Sequence, residues 1–230
     1  MTSERAPAEQ VRDDFDRIAR LAAGAFDHNA HYHDVLLRAL PSRVGAALDL
    51  GCGAGDFTRL LAARADSVLG VDLSPEMLRA ARERSRGFAN LRFEERDVLR
   101  SDLPRAHFDA IASIATLHHL PMAETLERLR DALRPGGVFV ALDVVRDAGP
   151  LDLVRSALAV PVNVALHLAR SGALRDPPEL RAAWAAHGAT DHYLSLGEVR
   201  AACAAAGLGG ARVQRHLLWR YSLVWRKPVR

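Results

Sequence analysis

The stretch Leu48-Asp49-Leu50-Gly51-Cys52-Gly53-Ala54-Gly55-Asp56-Phe57 decides the fold of this 230-residue chain. An apolar run that begins at Val44 ends at three closely spaced glycines, and apolar residues then return at helical spacing. This pattern predicts a strand, a tight turn and a helix. Glycine permits the positive φ angles of such a turn and lets the backbone approach a ligand closely. The free N–H groups of the following helix suit a carboxylate or phosphate, so the turn is predicted to bind a ligand.

Three other interpretations of this turn compete with the one that its spacing favours or are excluded by its residues. The dinucleotide fingerprint Gly-x-Gly-x-x-Gly requires a third glycine where this chain has Asp56, which weakens that interpretation. A Walker phosphate loop is excluded because no Gly-Lys-Ser/Thr follows the glycines. A glycine-rich turn without a ligand is the third. The actual spacing, Gly-x-Gly-x-Gly with Asp49 two positions before the first glycine, resembles the first motif of class I S-adenosylmethionine (SAM)-dependent methyltransferases.

Two acidic residues follow the next predicted strands. Asp72 follows the strand Ser67–Val71, and an acid about twenty residues beyond the glycines can accept hydrogen bonds from both ribose hydroxyls of a nucleoside. Asp97 and Val98 follow the strand Leu91–Glu95. By the resemblance, Asp97 and Val98 bind the adenine edge. Leu73 and Met77 pack on the ring in the same family, although for Met77 helical core packing is an alternative.

The fourth strand, Phe108–Ser113, leads into Leu117-His118-His119-Leu120, which resembles the small-molecule branch of the family, the type 11 or type 12 methyltransferase domain. The Asn/Asp-Pro-Pro-Tyr element of amino-directed DNA and RNA enzymes is absent. The acids that hold magnesium in catechol-type enzymes are also absent, because Asp143-Val144 is not their Asp-Asn pair. The resemblance therefore implies a metal-independent enzyme that acts on small molecules.

Strands that alternate with helices predict a largely parallel sheet. The residues Leu133–Gly137 are predicted to form a turn before a fifth strand, Val138–Leu142, and a hairpin of Arg212–Leu217 and Leu218–Trp225 closes the chain. The resemblance implies an α/β, Rossmann-like, doubly wound seven-stranded sheet, mostly parallel with an antiparallel C-terminal strand. It also implies N-terminal helices and a helical lid insertion.

The domain organisation follows from these elements. Residues 1–43 are predicted to form an N-terminal helical cover, with helices at Val11–Ala25 and Ala30–Leu40, and residues 44–230 form the methyltransferase domain with a lid insertion at 146–194. The apolar segment Ala157–Ala169 is interrupted by polar residues, too short to span a bilayer, and interpreted as a buried or lid helix. Its apolar residues line a pocket, or else pack on the sheet or on a second subunit; they are Ala157, Leu158, Val162 and Leu166, together with Trp184.

A polar cluster lies near the N-terminus and comprises His28, Asn29, His31, Tyr32 and His33. Metal ligation was considered, but no carboxylate or cysteine joins the histidines at ligand spacing, so no metal ion is predicted. By the resemblance Tyr32 and His28 contact the cofactor or the substrate. A solvated helix face is the alternative.

The composition of the chain limits which classes of partner are expected. The formal net charge is +3 and the arginines that carry it are dispersed, which argues against nucleic acid. Hydrophobic residues make up 49% and charged residues 26% of the chain, as in globular proteins generally. The first ten residues are polar and lack the apolar core of a signal peptide. We expect a cytoplasmic protein with a small-molecule acceptor, no nucleic-acid or membrane partner, and a homodimer as one form of assembly.

The expected activity is SAM-dependent methyl transfer, most simply O-methylation, with N-methylation as a variant. His118 is the predicted proton acceptor, with His119 next. Asp49 would orient the loop, the glycines would hold the methionine part of SAM, and the Ser113 carbonyl its ammonium. The full predicted cofactor set is Tyr32, Asp49, Gly51, Gly53, Gly55, Asp72, Leu73, Met77, Asp97, Val98 and Ser113. A nucleotide-dependent oxidoreductase and a SAM-binding protein without transferase activity are the alternatives.

Overall fold

The computed structural model describes residues 7–21 and 29–229, so His28 lies outside the described residues. The strands are β1 (Val44–Leu50), β2 (Ala65–Asp72), β3 (Leu91–Glu95), β4 (Phe108–Ile114), β5 (Leu133–Val144), β6 (Arg212–Arg215) and β7 (Arg220–Arg226). The helices are α1 (Ala8–Leu21), α2 (His33–Ala39), α3 (Asp56–Ala62), α4 (Pro75–Arg84), α5 (Met122–Ala132), α6 (Pro150–Ser171), α7 (Pro178–Gly188) and α8 (Leu196–Ala205). Two short 3₁₀ segments, Asn29–Tyr32 and Leu117–His119, complete the elements.

The seven strands form one sheet in the order β3-β2-β1-β4-β5-β7-β6. Strands β1 to β5 pair in parallel, β7 is antiparallel to β5, and β6 is antiparallel to β7. The strand order changes direction at β1, because β2 lies on one side of β1 and β4 lies on the other. This confirms the predicted Rossmann-like sheet, and ligands in such sheets lie at the carboxyl ends of the strands around this point.

The predicted turn at Leu133–Gly137 is wrong, because β5 begins at Leu133. Leu133 pairs with Phe108 and Val138 with Ala110, so the register between β4 and β5 shifts within these glycine-containing residues. The Gly136 N–H also donates to the Lys227 carbonyl, 2.9 Å away. The sequence Pro-Gly-Gly therefore forms an irregular part of the strand.

Helix α6 differs most from expectation, since it runs for 22 residues and is largely exposed. The segment Ala157–Ala169 is therefore not buried, and the helix that contains it is long enough to span a bilayer, contrary to the prediction. Its interpretation as a lid helix stays a prediction. By length and composition α6 is the one helix in the described ranges that could cross a membrane, although helices of soluble proteins meet the same criterion. Its inward side carries Asp152, Ser156 and His167, and its outward side is apolar, with Leu151 and Leu158 each about 60% exposed.

Candidate active site

A cavity of about 780 Å³ opens at the carboxyl ends of the parallel strands. The glycine turn and the residues after β2 form one part of its wall, and the residues after β4 form another. Helices α1 and α7 pack on each other and contribute Phe15, Trp184 and His187 to the cavity. The lining therefore brings together most of the predicted site residues, which follow four different strands of the sheet.

The glycine turn has the backbone conformation that its sequence predicted. Gly51, Gly53 and Gly55 have φ angles of 68°, 51° and 79°. A Cβ on Gly51 would lie 2.0 Å from the Thr116 Oγ1 atom, which no other residue type could accept without a shift. A Cβ on Gly53 would meet no atom within 4 Å, so the backbone at this position faces open space. The turn therefore presents its main chain to the cavity.

A buried carboxylate, Asp49, and a half-buried one, Asp72, flank this turn. Asp72 accepts hydrogen bonds from the Gly53 N–H at 2.8 Å and the Ser74 N–H at 2.9 Å, and so fixes the turn against the end of β2. Asp49 accepts a 2.6 Å hydrogen bond from the Thr58 hydroxyl. Burial raises the pKa of Asp49 to about 7, a shift that the Thr58 hydrogen bond opposes and the charge of Asp72 reinforces. Burial also raises the pKa of Asp72. Both acids line the cavity.

The predicted adenine contacts lie on the same side of the cavity. Leu73, Met77, Asp97 and Val98 all line it. The Asp97 carboxylate accepts a 2.9 Å hydrogen bond from the Leu99 N–H, which orients it at the end of β3, and its side chain remains 20% exposed. Carboxylate acceptors and an apolar wall are the combination that a nucleoside requires.

Three predicted contacts do not reach the cavity. Tyr32 points elsewhere, because its hydroxyl donates to the Leu217 carbonyl at 2.5 Å, and the cavity is lined instead by its neighbours Asn29 and His33. Gly55 lies against Phe93 and Arg59 in the interior. Ser113 is fully buried, because β4 continues one residue further than predicted, and residues 114–116 line the cavity in its place.

His118 is held in a buried ion pair at the far end of the cavity. Its Nδ1 atom lies 2.5 Å from Asp143 Oδ1, and its backbone N–H donates to Asp143 Oδ2 at 3.1 Å. Burial lowers the pKa of His118, but the charge and the hydrogen bond of Asp143 outweigh it and raise the pKa above its usual value. Burial raises the pKa of Asp143, but the charge and hydrogen bond of His118, the Val144 N–H and His119 together lower it below its usual value. The pairing leaves Nε2 of His118 as the ring atom that can act on another group.

His118 belongs to a larger imidazole cluster with His119 and His187. The ring centroids of His118 and His119 are 3.9 Å apart, and those of His119 and His187 are 4.9 Å apart. Asp191 lies among the three rings, and Tyr193 donates a 2.5 Å hydrogen bond to it. Burial, together with the two neighbouring histidines, lowers the pKa of His119 to about 3, so this ring is neutral at physiological pH.

The prediction of an isolated pair at His118 and His119 missed four partners: Asp14, Asp143, His187 and Asp191. A local signal existed for Asp143, which directly follows an apolar run of the kind that ends at the ligand edge of a parallel sheet. Asp14, His187 and Asp191 had no usable signal, because they lie on helices and loops remote in sequence from His118. No sequence spacing relates any of these three residues to His118.

The Rossmann-like sheet carries a glycine turn, acidic residues at the ends of neighbouring strands and an ordered histidine, all at one cavity. This combination indicates a class I SAM-dependent methyltransferase. The comparisons with known proteins agree with this class. Residues 47–137 match the family model described as a methyltransferase domain. The chain is 32% identical over 207 residues to an uncharacterized methyltransferase of Mycobacterium tuberculosis, covering 87% of this chain and 96% of the relative. The chain therefore belongs to the methyltransferase family.

More distant relatives share parts of the chain or the fold. A trans-aconitate 2-methyltransferase of Methylobacterium nodulans is 44% identical over 110 residues, which is 45% of this chain and 40% of that protein. The solved DhpI–SAM–HEP complex superimposes with a TM-score of 0.66 at 22% identity, covering 97% of this chain and 99% of that one. These similarities extend the fold assignment beyond the matched domain to nearly the whole chain.

Proposed function

We propose that this enzyme transfers a methyl group from SAM to a hydroxyl group of a small molecule, and that His118 accepts the hydroxyl proton. The observation that carries the proposal is the buried His118–Asp143 pair in the same cavity as Asp49 and Asp72. A histidine oriented by a carboxylate through one ring nitrogen presents the other as a base. The transfer itself requires no metal ion in this proposal.

The residues of the cavity fit SAM. We propose that Asp72 binds the ribose hydroxyls and that Asp97 and Val98 bind the adenine edge, because all three line the cavity. Asp49 supplies a negative charge below the glycine turn for the ammonium group. When bound, SAM supplies an electrophilic methyl group. The contribution of the chain is alignment, which for a well-oriented reaction lowers the barrier by about 7–11 kcal/mol.

The acceptor is proposed to bind against the wall of the cavity that α1 and α7 form. Phe15 and Trp184 stand edge to face there, with ring centroids 6.3 Å apart, and Phe15 also contacts His187 at 4.7 Å. These rings give the acceptor an apolar wall next to the imidazole cluster. On this basis we propose that the described parts of residues 1–43, together with the lid insertion 146–194, cover the methyltransferase domain 44–230. The name of the Methylobacterium relative supports a small-molecule acceptor.

The test is a search for the acceptor. The protein is incubated with SAM and fractionated metabolite extracts, and release of S-adenosylhomocysteine is followed, with mass spectrometry of the product. The proposal expects a product 14 mass units heavier whose methyl group is on oxygen. Methylation on nitrogen would contradict the O-methylation. Binding of SAM without any turnover would support a SAM-binding protein that does not transfer methyl groups.

Binding of SAM should release a proton from Asp49 near neutral pH. The pKa of Asp49 is about 7 without a ligand, and a cation beside the carboxylate favours its charged form. Calorimetry at pH 6.5 in two buffers of different ionisation enthalpy should therefore give different apparent binding enthalpies. SAM affinity should fall as the pH is lowered through 7. The difference should vanish in Asp49→Asn, and equal enthalpies in the unmodified protein would contradict this placement of the ammonium group.

Asp152 and Ser156 anchor α6 to the body of the protein. Asp152 lies 3.5 Å from Arg215, and Ser156 donates to Asp147 at 2.6 Å. The opposite, outward face of α6 carries no aromatic side chain and is formed by Leu151, Leu153, Val154, Ala157, Leu158, Pro161, Val164, Ala165 and Leu168. Arg155 borders this face and lies 3.5 Å from Asp152. We propose that this face packs on the same face of a second copy, because interfacial membrane helices carry aromatic residues and several basic residues around such a face.

Leu158→Glu should convert this homodimer to a monomer, because it places a charge in the centre of the apolar face. Light scattering after size exclusion measures the mass. Leu60→Glu on α3 is the matched control, since Leu60 is also exposed and lies on another surface, and it should leave the dimer intact. An unmodified protein that is monomeric, or that floats with lipid vesicles, would contradict the dimer. A cytoplasmic location without nucleic-acid partners completes the proposal.

A further inference from the structure

The imidazole cluster has the composition of a transition-metal site. His118, His119, His187 and Asp191 each offer one ligand atom, and these four atoms lie within 4.8 Å of one another. Asp191 is central, with its oxygens 3.7 Å from His118 Nε2, 3.3 Å from His119 Nδ1 and 3.7 Å from His187 Nε2. Three imidazoles and a carboxylate form a ligand set that binds zinc and related divalent ions.

The outer contacts of the cluster strengthen this interpretation. His118 Nδ1 lies 2.5 Å from Asp143, and His187 Nδ1 lies 3.2 Å from Asp14. In both rings a carboxylate engages one nitrogen and leaves the other directed toward Asp191. Metal-binding histidines are oriented in this way, with the second nitrogen bonded to a carboxylate that fixes the ring.

The cluster also contains a polar atom with no partner. Nε2 of His119 is buried and makes no hydrogen bond among the described residues, and the His119 side chain is only 7% exposed. A buried polar group without a partner is costly. The His119 nitrogen nearest to Asp191 is Nδ1, so this ring offers either of its two nitrogens to an ion. In a tetrahedral zinc site the ligand atoms are about 3.3 Å apart. Shifts of about 1 Å would bring these four side chains to that spacing.

We propose that His118, His119, His187 and Asp191 bind one divalent transition-metal ion, with Asp143 and Asp14 as supporting carboxylates. The three carboxylates that contact the three rings would then compensate the charge of the ion. This inference goes beyond the proposed function. The ion and the proton of the acceptor would use the same lone pair on His118, so a bound ion would prevent His118 from acting as the base. The metal-loaded protein should therefore transfer methyl groups at the residual rate of a His118 variant.

Cobalt(II) and zinc(II) are the probes. The full-length protein is stripped with a chelator, dialysed and titrated with Co²⁺, whose visible absorption reports coordination geometry, and with Zn²⁺ by calorimetry. One equivalent of metal should bind, with the intense absorption of a four-coordinate site. His187→Asn should weaken binding at least tenfold, and Asp14→Asn about 10–100-fold, the usual effect of a supporting carboxylate. His107→Asn, which changes an exposed histidine, should have no effect.

Circular dichroism of each variant separates loss of the site from loss of the fold, and Asp191→Asn provides a second ligand variant if His187→Asn does not fold. Metal affinity equal in the unmodified protein and in both ligand variants would overturn the proposal, as would weak absorption typical of aqueous Co²⁺. Neither result bears on methyl transfer by the metal-free enzyme. Conversely, tight binding together with a faster reaction would support the metal site and overturn His118 as the proton acceptor.

Discussion

Asp72→Ala should weaken SAM binding at least about 30-fold, which corresponds to about 2 kcal/mol. The carboxylate is proposed to accept both ribose hydroxyls, and it already accepts the N–H groups of Gly53 and Ser74. Its removal would leave the ribose hydroxyls and the N–H groups of the turn without a hydrogen-bond acceptor, in a site that is largely shielded from water. Calorimetric titration with SAM, or with S-adenosylhomocysteine, measures the change in the dissociation constant.

Asp66→Ala is the matched control for this variant. Asp66 lies on the same strand, but its side chain is 72% exposed and pairs with the exposed Arg43. We expect its SAM affinity to equal that of the unmodified protein. The unfolding temperature should show that both variants are folded. Unchanged affinity in a folded Asp72→Ala protein would remove Asp72 from the nucleoside site, and with it the central part of the cofactor assignment.

His118→Asn should lower kcat about 10²–10⁴-fold while the SAM dissociation constant changes little. The reason is that the variant removes the proposed proton acceptor but none of the residues assigned to the nucleoside. Single-turnover methyl transfer in chelator-treated buffer separates the chemical step from binding. His107→Asn should behave as the unmodified enzyme. A folded His118→Asn protein with full activity would exclude His118 as the base.

Asp143 is a positioning residue in this scheme, and its effect is visible in the pH profile. Because Asp143 raises the pKa of His118, Asp143→Asn should lower that pKa. A base with a lower pKa is deprotonated at lower pH, so the acidic limb of the kcat/KM profile should move to lower pH while the maximal rate falls. A purely structural role would reduce the rate without moving the limb.

The sequence predicted the fold class, and it predicted most of the residues after β1, β2 and β3 that line one side of the cavity. The turn conformation at Gly51, Gly53 and Gly55 could be predicted from the sequence alone. Few residue types adopt positive φ angles, and the neighbouring apolar runs predicted a strand before the turn and a helix after it. Asp72 and Asp97 could be placed because parallel strands of one sheet end at the same edge. These features depend on short-range backbone geometry and on one repeated topology, and both are encoded locally.

The residues on the acceptor side of the cavity could not be predicted from local sequence patterns. Tyr32 turned away because a distant carbonyl, that of Leu217, bonds its hydroxyl, and α6 placed its polar side toward the protein and its apolar side outward. His187 reached His118 only through the packing of α7 on α1. The sequence by itself determined a sheet, a glycine turn and acids at strand ends. Only the tertiary structure determined the histidine cluster and its cover, because helix-to-helix packing joins residues that no periodicity relates.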